Sequence, residues 1–129
     1  MQFELKLPLL GFESVSHMEL TKIDDIFMRL GSVGEGPEFT LINPFVLREY
    51  AFDIPSSLQA LLEITPQTNL LIYNIMIIQN PIENSTVNFV APLIFNTDKQ
   101  TMAQIIMDNR NDFGLAEPIK NYLKGSENA

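Results

Sequence analysis

Few side chains in this sequence could form or break bonds. His17 is the only histidine and cysteine is absent, so thiolate nucleophiles, zinc–thiolate sites and disulfides are excluded. No second histidine is available to share a metal ion or a proton transfer. On its predicted strand, His17 alternates with the apolar residues Met18 and Leu20. We therefore expect a solvated histidine without a catalytic or metal-binding role.

The remaining candidate groups also lack the partners that catalysis requires. Ser57 and Ser85 occur outside any Gly-x-Ser-x-Gly elbow. Asp24 and Asp25 are chain neighbours, which point apart and fit a solvated turn. The glycines within 31–36 are followed by no phosphate-binding lysine. The sequence thus predicts a protein that is not an enzyme, with no catalytic residue, no metal and no cofactor.

Strands dominate the hydrophobic pattern. Alternating or apolar runs bounded by turn residues predict strands at 3–7, 17–21, 26–31, 38–42, 48–53, 69–79, 86–96 and 101–109. Pro8 ends the first strand and Gly11 makes the turn that follows it. Leucines at helical spacing predict one helix at about 56–64, which a capping box of Ser56 and Gln59 begins.

The order of these elements predicts a mainly β fold, a small antiparallel β-barrel-like domain with one short covering α-helix. Ile119, Tyr122 and Leu123 add a short C-terminal helical turn that Gly125 ends. Closing the sheet removes apolar strand edges that would otherwise favour aggregation. We expect a single domain over 1–124 and a loose tail over 125–129.

The longest apolar run, 70–78, is far shorter than the roughly 20 residues that a membrane helix needs, so it predicts a central buried strand. No targeting segment is visible, and we expect a cytoplasmic protein that does not bind membranes. The net charge of −8 disfavours direct binding of nucleic acid, because the phosphate backbone would be repelled. Such acidity attracts basic protein partners, or it only provides solubility.

Asn88 and Pro92 stand inside a predicted strand, where both residue types are unfavourable. A buried amide without hydrogen bonds costs about 1–3 kcal/mol. We therefore assign a structural role to both residues: Asn88 satisfies backbone groups where the strand bends, and Pro92 marks the bend. The hairpin that contains them would turn a corner of the barrel.

Four apolar residues in loops or strand ends have two interpretations. Ile82, in the polar connection 80–85, either packs under the loop or stands out as an anchor for a partner. Phe45, Tyr50 and Phe113 are either core residues or aromatic anchors among acids. The sequence alone leaves both interpretations open.

Residues 86–96 read TVNFVAPLIFN, and a polar turn with Gln100 and then Gln104 follow them. This stretch resembles the block Thr-x-Asn-Leu-x-Ala-Pro-x-x-x-Asn, with its polar turn and following glutamine, of the FliW family of flagellar assembly factors. Residues 10–13 resemble its Pro-Gly-Phe-Glu turn, with leucine in place of proline. Residues 80–83 resemble its Glu-Pro-aliphatic-Glu loop, and the likeness to this shorter form of the family extends over about 10–122.

The resemblance implies a small β-barrel-like fold and a non-enzymatic role. FliW-like proteins bind flagellin and, when free, bind and antagonise the RNA-binding translational regulator CsrA, which couples flagellin level to translation of flagellin mRNA. A monomer when free is expected. We assign the CsrA contact to Ile82, Glu83 and Asn84, with Ile82 as the apolar anchor. A groove near Phe45 and Tyr50 is the candidate flagellin contact.

Two other functions are compatible with the same composition. Six methionines and nine phenylalanines suit a β-barrel that holds a small apolar ligand, although they also suit a filled core. A subunit that self-assembles through its edge strands is the second alternative.

Overall fold

The computed structural model describes residues 1–9, 11–107 and 113–122. Its elements in these ranges are β1 (Gln2–Leu5), β2 (His17–Lys22), β3 (Phe27–Ser32), β4 (Glu38–Ile42), α1 (Ser56–Leu61), β5 (Leu70–Ile77), β6 (Thr86–Val87), β7 (Leu93–Asn96), β8 (Thr101–Gln104) and β9 (Glu117–Pro118). Short 3-10 turns occur at Pro44–Val46, Ile82–Asn84 and Ile119–Tyr122.

Seven of the strands close into a barrel. The order is β4-β3-β2-β1-β8-β7-β5, and β5 pairs back with β4. Near its end β5 also pairs with the short strand β6, on the side that β7 occupies along the first half of β5, and β6 pairs in turn with β9. The predicted β-barrel-like fold is confirmed. One pair differs from the antiparallel prediction, because β1 and β8 run parallel, with Leu5 opposite Met102.

The barrel interior is filled with apolar side chains. Phe3 and Phe95 meet there edge to face, with ring centroids 5.0 Å apart. Strand β5 explains the continuous apolar run of the sequence, because its side chains pack against apolar clusters on both of its faces. Tyr73 and Ile75 pack into the interior, whereas Ile72 packs on the outer side of the sheet. The strand is central as predicted, between β4 and β7, whereas Ile77 and Ile78 at the end of the apolar run are exposed.

Two further apolar clusters cover part of the outside of the barrel. Leu58 of helix α1 and Leu62, which follows the helix, are buried against Ile94 and Ala103. The second cluster, called here the outer aromatic cluster, consists of Ile42, Tyr50, Met76, Val87, Phe89, Phe113 and Ile119. The chain therefore has one core inside the ring and a second apolar layer on one side of it.

The predicted helix exists, but its ends differ from the prediction. It ends at Leu61 and not at residue 64, because Leu62 is the C-cap and Glu63 adopts a left-handed φ of 59°. The predicted capping box is wrong. Pro55 is the N-cap residue, and Gln59 Nε2 donates instead to the Ile54 carbonyl oxygen at 2.7 Å.

Three predicted strands need correction. Residues 48–53 form no strand. Alternate side chains of this segment pack on the outer aromatic cluster, which produces the alternating burial of a strand although the backbone pairs with no other strand. The strand predicted at 86–96 is two strands, β6 and β7, which 88–92 separate. The strand predicted at 101–109 ends at Gln104, and residues 108 and 109 lie outside the described ranges.

The predicted C-terminal helical turn is a 3-10 turn at Ile119–Tyr122. Leu123, Gly125, the predicted tail at 125–129 and the predicted domain boundary at 124 lie outside the described residues. In the ranges that the structure covers, no helix has the length and apolar character to cross a membrane.

Candidate protein-binding surface

The candidate CsrA loop projects from the end of β5. Ile82, Glu83 and Asn84 form a 3-10 turn, and all three are exposed to solvent. Ile82 is 56% exposed. It therefore stands outside the core, as an anchor residue would. Two more exposed isoleucines, Ile77 and Ile78, precede the loop at the same end of the β5–β6 pair.

Ser85 fixes the base of this loop. Its side chain is fully buried, and its Oγ accepts a hydrogen bond from the Gln79 amide at 2.8 Å. Its carbonyl oxygen accepts another from the Ile119 amide at 2.8 Å. Within the loop, the amides of Asn84 and Ser85 donate to the carbonyl oxygens of Pro81 and Ile82. The backbone below Ile82 is thus held in place, which lowers the entropy that ordering the loop on binding would cost.

Phe45 and Tyr50, the candidate flagellin residues, occupy different environments. Phe45 is 53% exposed on the 3-10 turn after β4. Tyr50 is only 6% exposed, and its hydroxyl donates to the Phe89 carbonyl oxygen at 2.5 Å. The two rings meet edge to face, 6.2 Å between centroids. Tyr50 therefore supports Phe45 from below. Burial raises the pKa of Tyr50 to about 12.

An arginine that the sequence analysis did not single out lies at the centre of this face. The Arg48 guanidinium lies over the rings of Phe89, Phe113 and Tyr122, at 5.1, 4.8 and 5.4 Å from their centroids. Its Nη1 is 3.2 Å from Glu117 Oε1 and 2.9 Å from the Tyr122 hydroxyl. Arg48 and Glu117 are 69 residues apart. No local signal in the sequence could have paired them.

Replacing Arg48 by methionine is expected to lower the free energy of unfolding by about 2 kcal/mol, because the half-buried Glu117 loses its cation and three rings lose their cation–π contact. Urea unfolding measures the change. The matched control is Arg29→Met, whose ion pair with Glu38 is exposed and should contribute less than about 0.5 kcal/mol. Equal losses in the two variants would contradict a central role for Arg48.

Asn88 and Pro92 flank the segment that separates β6 from β7. The backbone amide of Asn88 donates to the Ile75 carbonyl oxygen at 2.9 Å, and the side-chain Oδ1 of Asn88 accepts from the backbone amide of Val90 at 3.2 Å. The carbonyl oxygen of Pro92, a buried residue, accepts from the Ile105 amide at 3.1 Å. Both residues therefore lie where the chain leaves one ladder and joins the next.

Gly11 lies in the turn after Leu9, where Phe12 donates its amide hydrogen to the Leu9 carbonyl oxygen. Its φ of 87° is in the left-handed region that favours glycine. Leu10 lies outside the described residues.

His17 and Asp24, two of the groups first considered for catalysis, lie in solvent, whereas Ser85 is the buried residue at the base of the Ile82 loop. His17 is exposed, and its Nδ1 is 3.0 Å from Ser16 Oγ. Asp24 Oδ1 accepts the amides of Ile26 and Phe27, both at 2.8 Å, and these bonds lower the pKa of its carboxyl group. Among the described residues, no group of three or more histidines or carboxylates could hold a metal ion.

The chain is similar to known proteins over nearly its whole length. The family described as FliW protein matches residues 1–119. Flagellar assembly factor FliW 2 of Wolinella succinogenes is 53% identical over 126 residues, which cover 95% of this chain and 93% of that protein. Flagellar assembly factor FliW of Sulfurimonas denitrificans is 52% identical over 125 residues, which cover 96% of this chain and 99% of that protein.

The fold also matches a solved structure. The crystal structure of the flagellar assembly factor FliW superposes with a TM-score of 0.85 at 25% sequence identity, covering 92% of this chain and 84% of that one. The family match, the relatives at about half identity over nearly the whole chain and the shared barrel agree. This chain belongs to the FliW protein family.

Proposed function

We propose that this protein is a flagellar assembly factor that acts by binding two other proteins, flagellin and CsrA. When flagellin is scarce, the free protein binds CsrA and removes it from flagellin mRNA; when flagellin accumulates, it occupies the protein and CsrA returns to the transcript. The relatives named as flagellar assembly factors support the flagellar role. The filled barrel interior argues against the alternative of a ligand-binding barrel.

The observation that carries the CsrA contact is the exposure of Ile82 on a fixed loop. Interfaces depend on a few apolar or aromatic anchors that become fully desolvated when the partner binds. Ile82 is available for this role at 56% exposure, and Ser85 holds the backbone beneath it. Glu83 beside it offers a carboxylate to a basic partner surface.

The net charge of −8 supports a mechanism for antagonism. A protein that binds RNA presents a basic face to the phosphates. An acidic barrel held beside that face would repel RNA without occupying every contact. Reversing exposed carboxylates of the surface should therefore reduce RNA release more than it reduces CsrA binding.

The flagellin contact is proposed at Phe45 and its exposed neighbour Val46, which is 51% exposed. Strands β4 and β5 are antiparallel, and Phe45 follows the end of β4 whereas Ile82 follows the end of β5. The two candidate surfaces therefore lie toward opposite ends of this strand pair. In this proposal, the two partners have separate primary contacts.

Fluorescence anisotropy of a labelled flagellin leader RNA bound to CsrA tests the function. Adding the protein should lower the anisotropy as RNA is released, and adding purified flagellin should restore it. RNA that stays bound to CsrA at saturating protein would overturn the antagonism. Release that flagellin does not reverse would overturn the coupling to flagellin level.

A further inference from the structure

The backbone pairing between β1 and β8 ends at Met102, although the chain after Met102 stays extended as far as Met107. Its last bond runs from the Lys6 amide to the Met102 carbonyl oxygen at 3.0 Å. The next amide in register would belong to Pro8, which has no hydrogen to donate. On the other side, the chain after β8 continues to pair, because the Ile105 amide donates to the Pro92 carbonyl oxygen and the Met107 amide to that of Val90.

This arrangement leaves a short strand edge open. Successive residues of an extended strand direct their backbone groups to alternate sides. Ile105 and Met107 donate toward 90–92, so the amide and carbonyl groups of Gln104 and Ile106 face the opposite side. In the part of the chain that the structure describes, no strand pairs with the side of the chain to which Gln104 and Ile106 direct these groups.

An apolar groove lies along the open edge. It has a volume of about 540 Å³ and is lined mainly by Leu7, Leu58, Leu61, Gln104, Ile105 and Ile106. Helix α1 forms the wall opposite the strand. Ile106 is 73% exposed and Leu7 is 41% exposed. The groove residues carry no charge, although the protein as a whole has a net charge of −8.

We propose that this groove, called here the β8 groove, binds an extended, uncharged apolar segment of a partner polypeptide. The segment adds as a strand to the edge at Gln104 and Ile106, and its alternate side chains fill the space between the strand and α1. An open strand edge beside an apolar wall binds peptides in this manner, with main-chain bonds giving affinity and side-chain pockets giving selectivity.

The chemistry of the groove selects this occupant. A basic segment would gain nothing from an uncharged lining and would be attracted to the carboxylates elsewhere on the surface. An apolar segment buries Ile106 and Leu7, and it also satisfies the backbone groups of the edge. The β8 groove contains neither the Ile82 loop nor Phe45, so the proposal goes beyond the function proposed above.

A matched pair of peptides tests strand addition. The probe is a fluorescein-labelled hexapeptide, acetyl-Ser-Val-Thr-Val-Ser-Ile-amide, measured by fluorescence anisotropy. The control is the same peptide N-methylated at alternate residues, which removes the donors toward β8 and keeps the side chains. We expect the control to bind at least about tenfold more weakly. Equal binding of the two peptides would overturn strand addition.

Amide hydrogen exchange locates the contact. Saturating the protein with the unmethylated probe should slow exchange at Gln104 and Ile106 at least about tenfold. Slowing that appears only at other amides would place the peptide elsewhere and overturn the proposal.

Two variants and one control complete the test. Ile106→Pro removes the backbone donor at the open edge and keeps the hydrogen bonds made by Ile105 and Met107. Leu61→Ser makes the helix wall of the groove polar. Each variant should lower the affinity for the probe peptide at least about tenfold. Ile23→Ser, at a 47% exposed isoleucine in another turn, should bind the probe as the unchanged protein does. Probe affinity that is unchanged in both groove variants would refute the site.

Sedimentation separates the proposed occupant from a second copy of the chain. The unchanged protein should sediment as a monomer without the probe. If the protein is a dimer and Ile106→Pro dissociates it, the groove binds another copy of the chain. That result would overturn the proposal that a different polypeptide occupies the groove. Both groove variants should retain CsrA binding, so loss of the probe and loss of the proposed function are distinguishable.

Discussion

Replacing Ile82 by aspartate is expected to weaken the affinity for CsrA by about 100-fold, or about 2.7 kcal/mol of binding free energy. The variant removes the apolar anchor and places a carboxylate where the partner would desolvate it. Isothermal titration calorimetry with purified CsrA measures the change. Because Ile82 is 56% exposed, the free energy of unfolding should change by less than about 0.5 kcal/mol.

The control for this variant is Ile23→Asp. Ile23 is 47% exposed in the turn between β2 and β3, so it matches Ile82 in residue type and exposure. Its affinity for CsrA should equal that of the unchanged protein. If both variants lose affinity equally, added negative charge is the cause and Ile82 is no anchor. If Ile82→Asp unfolds the protein, Ile82 belongs to the core.

Asn96→Ala is expected to lower the free energy of unfolding by about 3 kcal/mol, the largest stability effect predicted here. Asn96 is fully buried at the end of β7. Its Nδ2 donates to the Leu62 carbonyl oxygen at 2.7 Å, and its Oδ1 accepts the amides of Asp98 and Lys99 at 3.0 and 3.1 Å. One side chain thus ties the end of α1 to the β7–β8 turn. Alanine leaves the amides of Asp98 and Lys99 without this acceptor, and the Leu62 carbonyl oxygen keeps only the Thr101 hydroxyl, at 3.1 Å.

Asn69→Ala provides the comparison for Asn96. The Asn69 side chain also donates to the β7–β8 turn, at 3.1 Å to Asp98 Oδ1, but it does so in solvent. Water can replace that bond, so the loss should stay below about 1 kcal/mol. Urea unfolding of both variants gives the two values. Similar losses would show that the burial of Asn96 does not determine its contribution.

The barrel could be predicted because polar and apolar residues alternate along the strands that bury only one face. In β2, Met18 and Leu20 face the interior and His17 faces solvent. The apolar run of β5 likewise indicated burial on both faces. These patterns depend only on the two-residue period of a strand, which a sequence displays directly.

Errors arose where packing of side chains produces alternating burial although the backbone forms no pairing with another strand. Segment 48–53 alternates because Tyr50 and Phe52 pack on the outer aromatic cluster, and alternation alone cannot distinguish such a segment from a strand. Helix α1 begins without the capping box, since Gln59 bonds to Ile54. Arg48 was not identified because its partners come from distant parts of the chain.

The candidate site was predictable only in part. The polar loop around Ile82 was visible in the sequence, but its outward orientation depends on Ser85 and on the amide of Ile119. Similarly, the sequence grouped Tyr50 with Phe45, whereas the structure buries Tyr50 and exposes Phe45. Exposure is a property of the tertiary fold, so single apolar residues in loops do not reveal it.

The central claim is that this protein acts by binding other proteins and that the Ile82 loop takes CsrA. Hydrogen–deuterium exchange of the protein with and without CsrA tests it most directly. The account predicts slower exchange over 82–85 in the complex and unchanged exchange around Phe45. Slower exchange only at other positions would contradict the assigned surface, and no change with either CsrA or flagellin would contradict the function.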